Sequence, residues 1–500
     1  MAAAEYILAI DQGTTATKAL LVSRNEEIIQ VASITHEQIY PQAGWVEMDP
    51  DLLLHNIRET CRRVMQNRAP QTIQAVGLSN QGETVIAWDR QNGKPLYNAI
   101  SWQDTRTEEQ CKKLSRNIDP AKLQAKTGLL LDSYLSAAKF SWLLENVEAV
   151  QQAFVAGRLL LGNLDAWMLW HLTQDKILCT DYTTASRTLL FNIHTLDWDD
   201  DLLNIFRVPR EILPRPCPSA NLFSRVSPKV LSGVTAPVTA SAVDQPAALF
   251  GHGCTTTGSL KITYGTGAFL LMNIGNSCTC SQHGLLTSIA AVHPDRPVQY
   301  YLDGGMYSAG ASIQWLQRQG IVDNVTATSE LACSIADNQG VYFVPALVGL
   351  AAPHWQRDIC GAFFGLTRAS TKAHLIRAVL ESIAFRVVEI VQAMQQDTHL
   401  EIRKIMADGG VSSNSFLMQF QANLLGIPIS VTHTPDITGL GIARLAGLTT
   451  EFPAPAFSDK NRTTGQHTTY QPEKNSKKYQ AFFKRWQKAV QCALSFQQTG

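Results

Sequence analysis

One local plan occurs twice in this chain, about 250 residues apart: an apolar run, a turn built of glycine and hydroxyl residues, and a second apolar run. The first copy runs from Tyr6 to Ile10, through Asp11-Gln12-Gly13-Thr14-Thr15, to the stretch Ala19 to Val22. The second runs from Lys261 to Tyr264, through Gly265-Thr266-Gly267, to the stretch Ala268 to Met272. Apolar runs this short on either side of a brief polar segment read as two strands joined by a tight turn. Glycine lets the backbone approach a ligand closely, while threonine hydroxyls and turn N–H groups aim donors at anionic oxygens. Either loop alone is also an ordinary hairpin. Two matching loops indicate a duplicated domain and predict one nucleotide held between two lobes. A carboxylate at Asp11 repels phosphate unless a cation lies between them. Asp11 therefore points to Mg²⁺ held through water, since that ion gives up its hydration shell reluctantly.

The rest of the chain fits this plan. At 500 residues and 45% apolar content, it exceeds the size at which one core keeps growing. Alternating strand-like runs (Ile73 to Leu78, Val85 to Trp88, Leu159 to Gly162) and helical stretches such as Pro50 to Met65 predict the α/β class. The prolines between Pro209 and Pro237 suggest a linker or an extended surface segment. We place the boundary near Gly251, giving a lobe over 1–250, a second over 251–450 and a polar tail over 451–500. In the second lobe, Ile376, Leu380, Ile383, Val387, Val391 and Met394 recur at helical spacing as a core stripe, with Arg377, Glu381 and Arg386 off it. Ile402 to Ala407 reads as a strand. The Gly409-Gly410 pair that follows lets the backbone approach a flat ligand such as adenine or ribose, with Asn414 in the first turn of the next helix. In the tail, the basic stretches Lys474 to Lys478 and Lys484 to Lys488 lie beside Tyr479, Phe482, Phe483 and Trp486, as in an amphipathic helix resting on the second lobe.

Several function classes are excluded. With 42 basic and 42 acidic residues and no basic–aromatic cluster, nucleic acid is not the expected partner. No signal-like start and no long apolar run appear, so neither secretion nor a membrane is expected, and the location read is cytoplasmic. Ten scattered cysteines fit reduced thiols, and the lone Cys278-x-Cys280 pair does not make a metal site. Neither a P-loop nor a protein-kinase signature is present, and Gly439-Leu-Gly441-Ile-Ala-Arg444 has arginine where a dinucleotide fingerprint needs its third glycine.

Longer motifs carry a resemblance. Tyr134-x-Ser136-x-x-Lys139-Phe-x-Trp142-Leu-x-Glu145-Asn146 is one, and Gly361-x-Phe363-x-Gly365-Leu366, followed by His374-Leu375-x-x-Ala378-Val379-Leu380-Glu381, is another. Denser segments are DQGTT at Asp11, GWVEMDP at Gly44, SWQDTRT at Ser101, TDYTTASRTLLFNI at Thr180, DQPAALFG at Asp244, YFVPALVGL at Tyr342 and DGGVSSNSFLMQFQ at Asp408. In these the chain resembles the FGGY carbohydrate kinases over nearly its whole length, and within them the glycerol kinase branch. The resemblance implies the two-lobed, duplicated actin/sugar-kinase/chaperone ATPase (ribonuclease H-like) fold, each lobe on a mixed five-stranded sheet, with the nucleotide in the interdomain cleft. It implies ATP-dependent phosphorylation of a primary hydroxyl of a small polyol or sugar, with Mg²⁺, by an enzyme that forms dimers or tetramers. Two other classes share this fold: a filament or chaperone-like ATPase, which has no need of a polyol pocket, and a sugar sensor, usually marked by a lost aspartate.

By the same resemblance Asp244 is the base that accepts the proton of the attacking hydroxyl, where a lone Asp before Gln-Pro would otherwise be a helix cap. Thr14, Thr15 and Thr266 match phosphate-binding positions. Lys18 stands where glycerol kinases commonly have arginine, keeping the charge without the planar fork. Gly310, Gln314, Gly410 and Asn414 match nucleotide-binding positions. The acceptor positions map to Glu83, Trp102, Tyr134, Asp244 and Gln245. The arginine that glycerol kinases place directly before the glutamate is here Gly82. Losing a charged donor weakens a hydroxyl contact by about 1.5 to 3 kcal/mol. Gly82 also leaves space for a longer acceptor: erythritol, erythrulose, xylulose or ribulose.

Overall fold

The computed structural model describes residues 5–291, 295–450, 467–473 and 476–497. The described chain forms two compact units. The first takes in 5–253, 287–291 with 295–300, and 436–450; the second takes in 254–286, 301–435, 467–473 and 476–497. The main division falls between Gly253 and Cys254, close to the expected boundary near Gly251. Two later segments pack with the first unit, and the second of these is a helix that one face of its sheet needs for cover. Residues 451–466 of the expected tail, and Lys474 of its first basic stretch, lie outside the described residues.

In chain order the sheet strands of the first unit are β1 (Tyr6–Gln12), β2 (Ala16–Ser23), β3 (Ile28–Thr35), β4 (Ile73–Asn80), β5 (Ala220–Arg225) and β6 (Pro237–Val243). Those of the second are β7 (Leu260–Tyr264), β8 (Ala268–Gly275), β9 (Tyr300–Met306), β10 (Ile405–Asp408), β11 (Ile429–Thr432) and β12 (His467–Tyr470). The first sheet runs β3-β2-β1-β4-β6-β5 and the second contains β9-β8-β7-β10-β11-β12. In both, the second strand returns antiparallel on the first, the fourth and fifth in the order run parallel to it, and the last is antiparallel. Both sheets open on the repeated hairpin and share the order third-second-first-fourth strand, but they part at the far edge: in the first the antiparallel edge strand β5 precedes its inner neighbour β6 in the chain, and in the second β12 follows β11. Both exceed the expected five strands, the first with six and the second with seven, where Leu286–Ile289 lies beyond β9, and each ends on the other side in an antiparallel edge strand. In the first unit that strand is β5, which lies inside the proline-rich stretch. Leu213, Cys217, Ala220 and Val226 of that stretch are buried, so it is part of the sheet edge and core rather than a linker or surface segment.

The helices used below are α1 (Pro50–Val64), α2 (Ser136–Asn146), α3 (Tyr182–Ala185), α4 (Asp244–Gly251), α5 (Gly310–Arg318), α6 (Lys372–Thr398), α7 (Ser415–Leu425), α8 (Ile437–Gly447) and α9 (Ser476–Gln497). Strand β1 is buried on both faces because successive side chains alternate. Leu8 and Ile10 pack with Leu54, Ile57 and Cys61 of α1, while Ile7 and Ala9 pack with Leu440, Ile442 and Ala443 of α8. Helix α1 starts where its sequence says it should: Asp49 accepts from the Asp51 and Leu52 N–H groups, Pro50 fills the first turn, and Arg62 and Arg63 close the last. In α6 the expected stripe is core, but Arg377, Glu381 and Arg386 are buried as well. Arg377 pairs with Glu381 at 2.8 Å and Arg386 with Glu389, so over 376–388, where every residue is buried, the helix carries its charges as internal pairs. Helix α9 belongs to the second unit, with Trp486 fully buried beside Phe385 and its indole N–H donating 2.8 Å to the Phe343 carbonyl. No described helix is long and apolar enough to cross a membrane.

Candidate active site

The carboxyl ends of three neighbouring parallel strands, β1, β4 and β6, meet at one edge of the first sheet. Gln12 is in register with Asn80, and Asn80 with Val243. The residues at or just past these ends are Asp11 to Thr15, Gly82 with Glu83, and Asp244 with Gln245. Backbone groups freed at strand ends and helix starts are where open α/β sheets bind ligands.

The first hairpin is tight. The Gly13 N–H donates to the Ala16 carbonyl at 3.0 Å, and the Gly13 carbonyl accepts from Gln12 and Gln81 side-chain amides at 3.1 and 3.2 Å. Thr15 is exposed. The Thr14 hydroxyl oxygen accepts from the Trp102 indole N–H at 2.9 Å, which leaves its own proton to donate. Asp244 opens α4, and its half-buried carboxylate accepts from the Gln245 N–H at 2.7 Å. The position at a helix N-terminus favours the charged form. Behind it, the Val243 N–H is held by the Thr183 hydroxyl, which donates in turn to the α3 cap Asp181.

Asp11 is buried, and its Oδ1 has no hydrogen-bond partner. Burial pushes its carboxyl up to about 7, with Asp436 and Asp244 adding to the rise and Lys18 and the Ser79 hydroxyl opposing it. Lys18 lies across from Asp11 on β2 and donates to Asp436 at 2.7 Å. Asp436 also caps α8 by accepting from Gly439. Lys18 is therefore anchored by an acid that the sequence reading did not single out. Among the described residues no three His, Cys, Asp or Glu groups stand at ligating distance from one point.

Glu83, Tyr134 and Trp102, three of the expected acceptor positions, gather with Arg187 in one largely buried polar cluster. Arg187, on the loop after α3, donates from Nε to Glu83 Oε1 at 2.6 Å, from Nη2 to the Tyr134 hydroxyl at 3.2 Å and from Nη1 to Ser288 at 3.1 Å. Trp102 meets Tyr134 edge to face at 5.7 Å. The family-like segment at Tyr134 serves this cluster directly. Lys139, fully buried, donates to the Tyr134 carbonyl at 2.6 Å and the Glu83 carbonyl at 3.3 Å, and Asn163 joins Gly82 to Ser136 at 2.7 and 2.8 Å. Burial pulls the Lys139 ammonium down to about 8 against the pull of Glu83. Gly82 itself is closely packed. A Cβ there would stand 3.0 and 3.1 Å from the Val243 methyls and 3.4 Å from Arg187 Cγ.

In the second unit the hairpin Gly265-Thr266-Gly267 is closed by Gly265 N–H donating to the Gly267 carbonyl, with Gly265 and Thr266 exposed. The start of α5 docks on it: Ala309 and Ala311 N–H groups donate to the Thr266 carbonyl and Gly310 N–H to the Gly265 carbonyl. A Cβ on Gly310 would meet that carbonyl oxygen at 2.5 Å, so this glycine is required by close backbone approach. Gln314 is exposed on α5. The two glycines after β10 differ. Gly409 has φ 90° and backs onto the Tyr264 backbone, whereas Gly410 faces open space. Asn414 is the cap of α7 rather than a first-turn residue. Its Oδ1 accepts from Leu417 N–H and its amide donates to Thr328, both near 3.0 Å.

A duplicated mixed sheet with a phosphate-type hairpin in each copy, joined in one copy to a polar cluster with an aspartate at a helix start, defines a phosphotransferase of the sugar-kinase fold. The chain belongs to the FGGY family of carbohydrate kinases: the family's N-terminal domain matches residues 6–251 and its C-terminal domain residues 260–450. It is 41% identical to glycerol kinases of Pseudothermotoga lettingae and Stenotrophomonas maltophilia, over at least 98% of each chain. The structure is similar to the crystal structure of Plasmodium falciparum glycerol kinase with ADP (TM-score 0.90, 33% identity, 98% of both chains). A ligand-bound xylulose kinase of Lactobacillus acidophilus shares the fold (TM-score 0.87, 23% identity, 98% of both chains). The chain is thus a carbohydrate kinase acting on small acceptors.

Proposed function

We propose that this chain transfers the γ-phosphoryl group of ATP to a terminal hydroxyl of a small polyol, with glycerol as the acceptor. The observation that carries this reading is the meeting of Asp11, Glu83 and Asp244 at the ends of β1, β4 and β6, with Trp102 bonded to Thr14 of the phosphate hairpin. The pocket of Glu83, Trp102, Tyr134 and Gln245 holds the acceptor through its hydroxyls. Asp244 takes the proton of the attacking hydroxyl as its oxygen bonds to the γ-phosphorus, and the bond to the β,γ-bridging oxygen breaks to release ADP. Thr14 and Thr15 of the first unit donate to phosphate oxygens, and Thr266 of the second offers the same kind of donor. Gly265, Gly310, Gln314, Gly410 and Asn414 hold the nucleotide, and the open surface at Gly410 suits a flat base. A divalent cation would fit beside Asp11, whose buried Oδ1 lacks a hydrogen-bond partner, and since no three ligating groups stand together among the described residues, Mg²⁺ there would keep much of its water shell. When bound it neutralises charge on the transferred group.

A larger acceptor is the alternative that Gly82 suggests; the contacts a Cβ there would make with Val243 and Arg187 count against a side chain at this position. We therefore expect Gly82→Arg to lower turnover of glycerol, by displacing Arg187, and not to raise it. Coupled ADP release measured across glycerol, dihydroxyacetone, erythritol, erythrulose, xylulose and ribulose tests the acceptor. The three-carbon acceptors should lead. A clear preference for a four- or five-carbon acceptor overturns the glycerol reading, and no ADP release with any of them overturns the kinase reading of the site.

A further inference from the structure

The Glu83 carboxylate is buried, and one of its oxygens is already taken. Arg187 Nε holds Oε1 at 2.6 Å, and no hydrogen bond from a described residue occupies Oε2. The same guanidinium reaches the Tyr134 hydroxyl at 3.2 Å and stands over the Tyr134 ring at 5.6 Å. Its third nitrogen is tied to Ser288, so the fork is fixed at all three corners by residues from three separate elements. Arg187 and Glu83 are 3% and 5% exposed, so their attraction is little screened by solvent. A carboxylate held this way at one oxygen presents the other in a set direction, which is what recognition of a short polyol requires. Gly82 is part of the same arrangement, because a side chain there would run into Val243 and crowd the Arg187 stem.

We propose that Arg187 is the positioning residue that sets acceptor specificity, holding Glu83 and Tyr134 in the orientation that receives the substrate hydroxyls. This rests on the reading of the pocket as the acceptor site. A buried ion pair that served only the fold would affect stability and both substrates together; a positioning pair acts on the acceptor alone.

The test is steady-state kinetics on the full chain for Arg187→Ala and Arg187→Lys, with glycerol and MgATP varied separately and thermal melting recorded beside them. Loss of a charge-assisted contact of this kind should raise the glycerol KM of Arg187→Ala about tenfold to a hundredfold, with the ATP KM within about twofold of wild type. Arg187→Lys should fall between the two, since it keeps the charge and loses the planar fork. Millimolar guanidinium should lower the glycerol KM of Arg187→Ala and leave wild type unchanged. An unchanged glycerol KM in Arg187→Ala, equal losses for both substrates, or no guanidinium effect on a variant that melts like wild type overturns the inference. If Arg187→Ala does not fold, Arg187→Lys decides alone: a glycerol KM equal to wild type overturns it. Wild-type enzyme that releases no ADP with any acceptor would instead sink the reading of the pocket.

Discussion

Asp11 and Asp244 lie close enough to repel each other, yet the proposed chemistry needs both charged. The Asp11 carboxyl stands at about 7 instead of 3.8 because it is buried and Asp436 and Asp244 are near. A group whose folded value is raised contributes stability that is complete below its unfolded value and is lost as pH climbs through the folded one. Asp11→Asn should therefore melt like wild type near pH 3.8, gain on it across the interval up to about 7, and keep that gain above, as melting curves over pH would record. The same variant should be inactive. Asp436→Asn removes the neighbouring charge and lets Asp11 ionise earlier, so the acid limb of kcat/KM for MgATP should move to lower pH. Because Lys18 loses its anchor, the ATP KM should rise in the same variant. For Asp244→Asn we expect turnover to drop about 10²- to 10⁴-fold with glycerol affinity by calorimetry little changed, and turnover near wild type would remove Asp244 as the base. Of these residues, Asp11 and Asp244 are legible in the sequence through hairpin and motif. Asp436 and Arg187 are not, since each acts across 104 residues or more, and no local pattern reports a contact of that span.

At the scale of elements, the turns separate glycines that look alike in the sequence. Gly409 and Gly410 are adjacent, and both were expected to admit a flat ligand. Gly409 instead serves the fold: at φ 90° any side chain is strained, and a Cβ would press on the Tyr264 backbone. Gly410 has nothing within 4 Å of a Cβ. Gly409→Ala should thus cost about 1 to 3 kcal/mol in denaturant titration, as a non-glycine held in a disfavoured region does. Gly410→Ala should melt like wild type while raising the ATP KM. The opposite pattern would exchange the two roles. The long motifs divide in the same manner. The stretch from Tyr134 to Lys139 braces the proposed acceptor residues through Lys139 and Ser136, whereas His374 caps α6 with Thr371, and Glu381 neutralises Arg377 inside the core. Both motifs are equally visible in the sequence, and only packing tells which one touches chemistry.

The first unit is completed by a segment that the chain supplies only after its passage through 301–435 of the second. Helix α8 covers the face of the sheet formed by Ile7, Ala9, Leu20 and Val22, contributing Leu440, Ile442, Ala443 and Leu445 to that core. It lies on α4 closely enough that Gly441 abuts the Ala247 carbonyl and Gly251 the Ile437 carbonyl, with no room for a methyl at either. In the run Gly439-Leu-Gly441 that resembles part of a dinucleotide fingerprint, Gly439 packs on Leu20 of β2 and Gly441 on α4, and Arg444 beyond it pairs with Glu26 at 2.7 Å. Two lobes are readable from the duplicated hairpin, but this late return is not, because the apolar pattern of α8 would serve either sheet equally well. A chain ending at 435 would expose an apolar face of the first sheet and leave Lys18 without Asp436. Such a truncation should bind a hydrophobic dye and aggregate. Gly441→Ala, in the full chain, should lose about 1 to 3 kcal/mol by overpacking against α4, and Asp244, on the first turn of that same helix, should lose position with it. Reduced turnover together with a lower melting temperature in Gly441→Ala is therefore the expected result, although the residue touches no substrate. A variant that melts and turns over like wild type would mean that α8 does not hold α4 in place.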